Sequence, residues 1–550
     1  MARPSARTFR FRRRNLPCEA EQTLAATLSA QGVRILGRSI RYHRPRAPFC
    51  GVGYCTQCLV RVNGVPNIRS CTYVPAPGDA VGTENGWPSV DRDLLGALDW
   101  LFPHGIDTLR GFRRPAAFRG LYHRVIRSLA GYGRPPTPPA RPEPRAGERI
   151  DTELLVVGAG PAGRAAAARL ASAGHQVLLV DRGPLLAPPP QARARAGTTV
   201  TFLPAPDPGR SPRFVATGLG ADGTPVLLRA QTVCVAAGAY DGGLLVPGVD
   251  RPGVLTASGA LSLAGPQGEP PFPQAIVFGG GARAGELLDR FGTHVAAAVS
   301  PGAFAPEVAA RAAELEIPLY PRSLLVEIRG RRGVAAVRIQ GRGGGPEQLL
   351  PVDAVLLAHC RFPNGQLFFQ AGAQMDWRGS LGAYTPVLGP GFETSVPGLF
   401  AVGEAAGFEP GSPAEASGIA AAEQLLEGTT PSVLPARAEP GRPSEMAGYY
   451  TELLRRRAGR GKWILCACED VLLQELEEAS RAGYRGLEEI KRYTGVGTGL
   501  CQGRFCLPAA ILLLSDLEHR PPSEVGYIRQ RPPVVPTPLG TWARMPEETG

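Results

Sequence analysis

The residues of this chain whose spacing most clearly indicates chemistry are its cysteines. Eight of the eleven cysteines form two groups of four, and Cys18, Cys234 and Cys360 stand alone. The arginine-rich start of the chain is not followed by the apolar segment of an export signal, so we expect an unprocessed cytoplasmic protein rather than a secreted disulfide framework. Two thiol quartets in such a chain indicate metal binding or redox chemistry. Cys234 and Cys360 lie in apolar strand patterns, which predict core packing.

The first quartet, C-x4-C-x2-C-x12-C, consists of Cys50, Cys55, Cys58 and Cys71. Its first three members have the plant-type spacing that holds a [2Fe-2S] cluster. Glycines within the loop would let thiolates converge and backbone N–H groups approach the sulfurs. Zinc sites usually join a short cysteine pair to a distant second pair. We therefore predict a [2Fe-2S] cluster, with zinc or buried structural cysteines as the alternatives.

A glycine-rich turn follows the apolar strand at Leu154–Val157, and a helical pattern follows the turn. The next strand ends in Asp181, which completes the strand–turn–helix context of a dinucleotide-binding unit. In this unit the first glycine permits the tight turn, the second lets the pyrophosphate approach, and the third lets the helix pack on the strand. The helix N-terminus stabilises the phosphates, and Asp181 would accept the ribose hydroxyls. The residues predicted to form the turn are Gly158, Gly160, Pro161, Ala162 and Gly163.

Two later segments resemble flavoproteins of the glutathione-reductase type, which have two dinucleotide-binding domains. The segment Thr394–Ala405 is strand-like and ends in Gly403 and Glu404, like the closing motif of that family, although Glu replaces the commoner Asp. In the family this glycine and acid contact the ribityl and pyrophosphate portion of the flavin. Ala237 and Gly238 resemble the family's crossover motif. The resemblance implies that the first dinucleotide is FAD.

A second strand–glycine–helix unit resembles the NAD-binding domain of the same enzymes, with Gly279, Gly281 and Ala284 at the consensus positions. Its next strand ends at Ser300, with neither an acid for the ribose nor a basic cluster for a 2′-phosphate. We therefore favour a vestigial fold, with NAD(P) binding as the alternative. The FAD motifs have no C-x4-C or C-x2-C pair nearby, so disulfide-reductase chemistry is not expected.

The second quartet, C-x-C…C-x4-C, consists of Cys466, Cys468, Cys501 and Cys506. A helical stretch and a Gly-x-Gly-x-Gly turn separate its two pairs. The layout resembles the [2Fe-2S] domain similar to bacterioferritin-associated ferredoxin, including a variant found in amine-oxidising complexes. Zinc is the alternative, because a C-x-C pair is not diagnostic by itself.

Composition excludes several other classes of protein. All but two of the 60 basic residues are arginine, and they are scattered along the chain, so the net charge of +12 does not indicate nucleic-acid binding. No apolar run is long enough to predict a transmembrane segment, which leaves only peripheral membrane contact open. The histidines are isolated, and no catalytic acid or base is predicted.

The elements that must position these motifs predict a multidomain α/β protein. The prolines of the last segment predict that it contains no packed element. The predicted order is a β-grasp ferredoxin-like domain (1–95), a connector (96–148), a two-dinucleotide-binding FAD/NAD(P) fold (149–430, with the NAD-like part at about 255–365), a linker (431–462), a small helical iron–sulfur domain (463–520) and a tail (521–550).

This order resembles the α-type subunit of the family that contains hydrogen cyanide synthase, opine oxidase, dye-linked proline and hydroxyproline dehydrogenases, and heterotetrameric sarcosine oxidase. The connector Asn85–Ser89 also resembles that of the family. The resemblance implies an electron-transfer subunit with FAD and two [2Fe-2S] clusters, in a complex that oxidises sarcosine, proline, hydroxyproline, an opine or glycine. A partner flavoprotein resembling D-amino-acid oxidase would oxidise the amine. The alternatives are a self-contained NAD(P)H-dependent reductase and a scaffold subunit with degenerate cofactor sites.

One segment departs from the family pattern. The stretch between Asp181 and Val235 is short, and Leu186–Pro190 stands where the family usually has Gly-Gly. This predicts a trimmed cap over the flavin and weakly held FAD.

The two quartets lead to a prediction about metal content. After anaerobic reconstitution, the chain should contain about four iron atoms and about four acid-labile sulfides, two of each per cluster. Reduction with dithionite should give rhombic iron–sulfur EPR signals. Stoichiometric zinc with no such signal would contradict both cluster assignments.

Overall fold

The computed structural model describes residues 8–19, 22–103, 105, 120, 145–185, 187–209, 211–264, 268–408, 414–429, 445–456 and 461–547. Most of the predicted connector (96–148) and linker (431–462) lies outside these residues, as does Leu186 of the predicted cap. Within the described residues, no helix is both long and apolar enough to cross a membrane.

The strands and helices are numbered here in chain order. The strands are β1 (Thr8–Phe11), β2 (Arg14–Pro17), β3 (Gly37–Arg38), β4 (Pro45–Arg46), β5 (Leu59–Val62), β6 (Val65–Arg69), β7 (Ala80–Gly82), β8 (Glu148–Val157), β9 (Val177–Val180), β10 (Arg193–Arg195), β11 (Thr198–Phe202), β12 (Phe214–Gly220), β13 (Pro225–Val235), β14 (Ala239–Asp241), β15 (Val254–Thr256), β16 (Ala275–Phe278), β17 (Val295–Val299), β18 (Leu319–Tyr320), β19 (Ser323–Arg329), β20 (Ala336–Gly341), β21 (Gln348–Pro351), β22 (Ala354–Leu357), β23 (Arg361–Pro363), β24 (Met375–Arg378), β25 (Ala383–Pro386), β26 (Leu399–Ala401), β27 (Ile464–Cys466) and β28 (Val471–Leu472). The α-helices are α1 (Leu24–Ala30), α2 (Ala97–Leu101), α3 (Pro161–Ser172), α4 (Ala257–Leu263), α5 (Ala282–Phe291), α6 (Pro306–Glu314), α7 (Gln366–Gln370), α8 (Ala414–Glu427), α9 (Glu445–Arg455), α10 (Leu473–Arg481), α11 (Leu487–Thr494), α12 (Leu507–Glu518), α13 (Pro522–Val525) and α14 (Leu539–Trp542).

The chain forms two compact units, and each is built from separate stretches of sequence. The first unit comprises segments within 1–141, 241–360 and 445–528, and the second comprises segments within 142–240, 361–444 and 529–550. The first unit therefore contains both cysteine quartets and the NAD-like segment, whereas the second contains the FAD motifs. The domain boundaries given above were drawn from motifs rather than from packing, and they stay a prediction.

In the first unit, the N-terminal sheet has the order β2-β1-β7-β5-β6, in which only β1 and β7 pair in parallel. The alternation in β1 buries Phe9 and Phe11 and exposes the arginine between them, as a half-buried strand requires. Helix α1 begins after Thr23, whose hydroxyl accepts the Ala26 N–H at 3.3 Å, and buries Leu24 and its neighbours. The predicted ferredoxin-like fold is confirmed.

The NAD-like segment of the same unit forms a parallel sheet in the order β15-β22-β16-β17-β18. Strand β16 is buried along its whole length, as expected for a parallel strand covered on both faces. Helices α5 and α6 pack together on this sheet. In the C-terminal part of the unit, α10 packs against α11 and α12, and β27 pairs with β28.

The second unit is built on the sheet β10-β9-β8-β13-β12-β11, in which β26 also pairs with β13. Strands β8, β9, β13 and β26 run parallel, so their carboxyl ends lie at one edge. Helix α8 crosses α3 closely at Gly418. A Cβ on this residue would lie 2.0 Å from the Ala162 carbonyl oxygen. The predicted two-dinucleotide-binding fold is confirmed.

The expectation that the tail contains no packed element was wrong. The tail forms the short helices α13 and α14, and Val534 is buried in the core of the second unit. The Val534 N–H donates to the Thr201 carbonyl oxygen at 2.8 Å. Prolines next to a short helix or in an extended segment leave the remaining amides free to pair, so a high proline content does not prevent packing.

Buried ion pairs connect three segments of the first unit. Arg44 donates to both carboxylate oxygens of Asp250, at 2.5 and 2.7 Å. Arg46 contacts Asp250 at 3.4 Å and also pairs with Asp470. Both aspartate side chains are at most 1% exposed. The network therefore joins the N-terminal, NAD-like and C-terminal segments. Burial alone would raise the pKa of Asp250, but the Arg44 guanidinium lowers it well below its usual range.

Loss of the Asp250 charge should be costly. Asp250→Asn leaves Arg44 and Arg46 with less compensating charge in a buried site, which should lower the free energy of unfolding by about 3–5 kcal/mol. The control is Asp289→Asn, because Asp289 is 66% exposed in its pair with Arg311, and its loss should cost about 0–1 kcal/mol. Urea unfolding monitored at neutral pH measures both variants, and equal effects would contradict the proposed role of the network.

The same pair predicts a pH dependence. A carboxyl group whose pKa is lowered on folding stabilises the protein above its unfolded pKa, and this contribution is lost as pH falls through the folded value. The stability difference between wild type and Asp250→Asn should therefore be constant near neutral pH and shrink below about pH 4. A difference that instead grew with acid would contradict the assigned direction.

Candidate cofactor-binding sites

Three cysteines of the first quartet lie in the loop between β4 and β5, the fourth, Cys71, follows β6, and all four are buried. Gly51 and Gly53 have φ values of +66° and +77°, in the region that favours glycine. A Cβ on Gly51 would also lie 2.0 Å from the Ser262 hydroxyl oxygen of α4. The Cys55 N–H donates to the Cys50 sulfur at 3.3 Å. The backbone thus provides the tight turn and an amide donor that the sequence predicted.

The thiols of the first quartet lie close enough to shift one another's pKa. The hydrogen bond with Cys71 lowers the pKa of Cys58, whereas the bonds with Cys50 and Cys58 raise the pKa of Cys71. The bond with Cys50 likewise raises the pKa of Cys55. Four thiolates this close would repel one another unless cations lay among them. The donor set and its burial therefore fit an iron–sulfur cluster.

The second quartet consists of two close pairs of thiols. The Cys468 and Cys501 sulfurs lie 3.5 Å apart, and the hydrogen bond with Cys466 raises the pKa of Cys506. No three His, Cys, Asp or Glu side chains of the described residues are positioned to hold a single metal ion. A Cβ on Gly499 would lie 2.6 Å from the Cys468 Cβ, so this glycine lets the two arms approach. The paired thiols suit two irons, each of which takes two of the four cysteine ligands.

The FAD motifs meet at the carboxyl edge of the parallel sheet in the second unit. Gly158 follows β8, Asp181 follows β9, Ala237 and Gly238 follow β13, and Gly403 follows β26. A crevice at the carboxyl ends of parallel strands is where open α/β sheets bind their ligands. The structure therefore brings all of the predicted FAD motifs together at one edge.

The three motif glycines have different surroundings. A Cβ on Gly158 would lie 2.2 Å from the Ala236 carbonyl oxygen, and one on Gly163 would lie 1.9 Å from the Gly158 carbonyl oxygen. A Cβ on Gly160, in contrast, would meet no atom within 4 Å. Gly160 precedes α3, so open space lies at the N-terminus of this helix. This is the arrangement that accommodates a pyrophosphate.

Asp181 supports the glycine turn as well as facing the site. Its carboxylate accepts the Ala159 and Gly183 N–H groups, both at 2.7 Å. Glu404 pairs with Arg361 at 2.8 Å, and the Gly403 N–H donates to the Ser417 hydroxyl at 2.9 Å. These contacts fix both ends of the crevice.

Three polar residues of this unit were not predicted from the sequence. Arg361 follows no recognisable motif, yet it pairs with Glu404 and donates to the Ala239 carbonyl oxygen at 3.1 Å. Gln366 and Thr385 are buried, and the Oε1 and Oγ1 atoms have no hydrogen-bond partner among the described residues. Buried polar atoms of this kind usually have a partner, which a polar ligand would supply. No spacing in the sequence could have indicated them.

The NAD-like site repeats the glycine geometry but not the electrostatics. Gly279 has a φ of +148°, and a Cβ on Gly281 would meet no atom within 4 Å. Ala284 is buried in α5, where the consensus requires a small residue. Ser300 stands where a ribose-binding acid would follow β17, and it bonds within its own loop, accepting the Gly302 N–H at 3.2 Å. Arg283, at the start of α5, pairs with Asp241.

The isolated cysteines and the buried histidine of the sheets lie in apolar surroundings. Burial raises the pKa of Cys234 to about 12 and raises the pKa of Cys360 further. Burial also lowers the pKa of His359 to about 4, which keeps this histidine neutral. A thiol with a raised pKa is a poor nucleophile, which agrees with the predicted packing role of both cysteines.

Three family models match separate parts of the chain. A 2Fe-2S iron-sulfur cluster binding domain matches residues 7–86, an FAD binding domain matches residues 151–230, and the sarcosine oxidase A3 domain matches residues 460–545. These matches contain, in order, the first quartet, the first glycine motif and the second quartet.

Curated relatives match the same order over most of the chain. An opine oxidase component from Agrobacterium tumefaciens (strain Ach5) is 26% identical over 72% of this chain and 92% of its own length. The alpha component of sarcosine oxidase from Rhizobium meliloti (strain 1021) is 28% identical over 97% of this chain. The chain is similar to these α-type subunits over most of its length. The chain spans 57% of the length of the sarcosine oxidase component.

The fold also matches a solved structure of similar size. L-proline dehydrogenase from P. horikoshii has a TM-score of 0.67 over 98% of both chains, at 19% sequence identity. This likeness concerns the fold alone. The FAD and 2Fe-2S domain matches, together with the similarity to these relatives, make this chain a flavin- and iron–sulfur-containing oxidoreductase, as predicted.

The open glycine of each dinucleotide fold provides a matched pair of variants. Gly160→Val should fill the space at the N-terminus of α3 and weaken FAD binding more than tenfold, because the pyrophosphate can no longer approach. Gly281→Val makes the same change in the NAD-like fold and should leave the FAD content unchanged. Flavin absorbance per chain measures the effect, and thermal unfolding checks that both variants fold. Equal FAD content in the two variants would place the flavin elsewhere.

Proposed function

We propose that this chain is the electron-transfer subunit of a complex that oxidises a small amine or amino acid. The proposal rests mainly on one observation: a single chain carries two thiol quartets in one unit, with seven of the eight cysteines buried, and the FAD motifs at one sheet edge in the other. A cofactor set of this kind moves electrons and does not itself require a catalytic acid or base on the chain.

Bound FAD supplies two-electron chemistry, and [2Fe-2S] clusters supply one-electron chemistry. The chain's own residues bind and orient these groups. The eight cysteines, namely Cys50, Cys55, Cys58, Cys71, Cys466, Cys468, Cys501 and Cys506, would hold the irons. Amides such as that of Cys55 donate to sulfur and thereby stabilise negative charge on a reduced cluster.

The flavin crevice has a separate task for each of its residues. Gly158, Gly160 and the N-terminus of α3 would hold the pyrophosphate, and Asp181 would hold the ribose. Gly403 and Glu404 would lie along the ribityl chain, with Glu404 oriented by Arg361. Because Asp181 already accepts two backbone N–H groups, its carboxylate is held in place for the ribose hydroxyls.

We infer that the amine is oxidised on a partner flavoprotein that resembles D-amino-acid oxidase. Several relatives are named as subunits, including hydrogen cyanide synthase subunits HcnA and HcnB of Pseudomonas aeruginosa. The names of the relatives, which include opine oxidase, sarcosine oxidase and L-proline dehydrogenase, support a CH–NH donor. We also infer a cytoplasmic location, because all eleven cysteines are free and iron ligands need reduced thiols.

One observation favours a second candidate function, a self-contained NAD(P)H-dependent reductase. The open space at Gly281 has the same form as that at Gly160. Against this candidate, Ser300 provides no carboxylate for the ribose. We therefore interpret the NAD-like fold as a structural element that does not bind NAD(P).

The division of labour can be tested with the purified chain. Alone and loaded with its cofactors, it should show no amine-dependent dye reduction and only slow flavin bleaching by NADH. Addition of the co-purified partner flavoprotein should make the same flavin reducible by the amine. Full amine-dependent dye reduction by the chain alone would contradict the proposal, and rapid bleaching by NADH would favour the second candidate.

A further inference from the structure

The loops that carry the two cysteine quartets contact each other directly within the first unit. Phe49 precedes Cys50 in the first loop, and Phe505 precedes Cys506 in the second. Their rings meet edge to face, with centroids 5.3 Å apart and an interplanar angle of 76°. Aromatic pairs in this geometry stabilise packing beyond the area they bury.

A second contact joins Tyr54 of the first loop to Arg504 of the second loop. Tyr54 precedes Cys55, and its ring centroid lies 4.5 Å from the guanidinium carbon of Arg504. Arg504 lies between Cys501 and Cys506, is only 2% exposed, and donates to the Cys501 carbonyl oxygen at 3.2 Å. The cation therefore lies beside ligands of both quartets.

A third contact reaches a ligand sulfur. Thr56 and Gln57 separate Cys55 from Cys58. Gln57 donates through Nε2 to the Ala467 carbonyl oxygen at 3.2 Å. Thr56 and Cys468 line one small cavity, in which the hydroxyl and the backbone amide of Thr56 are within hydrogen-bond reach of the Cys468 sulfur. A ligand loop of the first quartet thus donates directly to a ligand of the second.

Another small cavity lies next to ligands of both quartets. This cavity of about 50 Å³ lies between the loops and is lined by Cys55 of the first quartet and by all four cysteines of the second. The irons of the second quartet would therefore lie in this cavity, next to Cys55 of the first quartet.

We propose that the two quartets form one intercluster junction, and that Thr56 is the positioning residue through which single electrons pass between them. The inference rests on the proposed function, since it needs both clusters. In each transfer one electron leaves the irons of one quartet and enters those of the other, and no covalent bond forms or breaks. Reduced flavin supplies the electron in the complex, and dithionite supplies it in the test.

The hydrogen bond from Thr56 to Cys468 provides a test by redox potential. A donor to a ligand sulfur stabilises the reduced cluster, so its removal lowers the potential. In the reconstituted full chain, Thr56→Val should shift the one-electron equilibrium of the second cluster about tenfold toward the oxidised state, about 59 mV. Thr56→Ser keeps the hydroxyl and should restore the wild-type potential.

The matched control is Thr72→Val. Thr72 follows Cys71, and its hydroxyl donates to the Arg69 carbonyl oxygen at 3.4 Å within its own loop. This variant should leave the potential of the second cluster unchanged. EPR-monitored titration measures all three variants. If Thr56→Val shifts the second cluster no more than Thr72→Val does, the role of Thr56 is overturned.

The junction itself is tested by EPR of the fully reduced wild-type chain. Adjacent reduced clusters should show spin–spin broadening or splitting that disappears when only one cluster is reduced. Two rhombic signals without any interaction would overturn the junction and leave the proposed function intact. Absence of any rhombic signal would instead remove the proposed function, and the inference with it.

Discussion

The buried ion network of Arg44, Arg46, Asp250 and Asp470 is the interaction on which the rest of the first unit depends. Charges with so little solvent access are tolerated only when they are paired and hydrogen-bonded. Arg46 shares its guanidinium between two carboxylates from different parts of the chain. This shared pairing fixes the position of the C-terminal segment against the N-terminal segment.

That constraint explains how two separately encoded quartets come to face each other. Arg46 lies four residues before Cys50, and Asp470 lies two residues after Cys468. Pairing the two charges therefore brings the cysteine loops together, after which the aromatic pair and the Thr56 hydrogen bonds can form. The proximity of the two cysteine loops therefore depends on charge pairing a few residues away.

The local motifs were predictable from the sequence because each is built from residues close together in the chain. The turn at Gly158–Gly163 and the loop at Cys50–Cys58 need particular residue types at fixed offsets, and the structure shows the positive φ values and close approaches that demand them. The α/β class followed from the alternation of predicted strands and helices, and the named folds followed from the resemblance to known families. The packed tail was not predictable, because Val534 is buried against residues that lie more than three hundred positions earlier in the chain.

Long-range pairings, likewise, could not be predicted from the sequence. Nothing in the local pattern at Asp250 or Asp470 distinguishes either residue from a surface carboxylate, and Arg361 has no motif of its own. The contact between the two quartets joins residues more than four hundred positions apart. Pairings at this separation depend on the tertiary fold, and the hydrophobic periodicity of one sequence does not indicate them.

The central claim, one flavin and two clusters on a single chain, is tested most directly by anaerobic reductive titration of the reconstituted protein. The flavin takes up two electrons and each cluster takes up one, so the account predicts about four electron equivalents per chain. An end point at about two equivalents, with flavin bleaching alone, would contradict it.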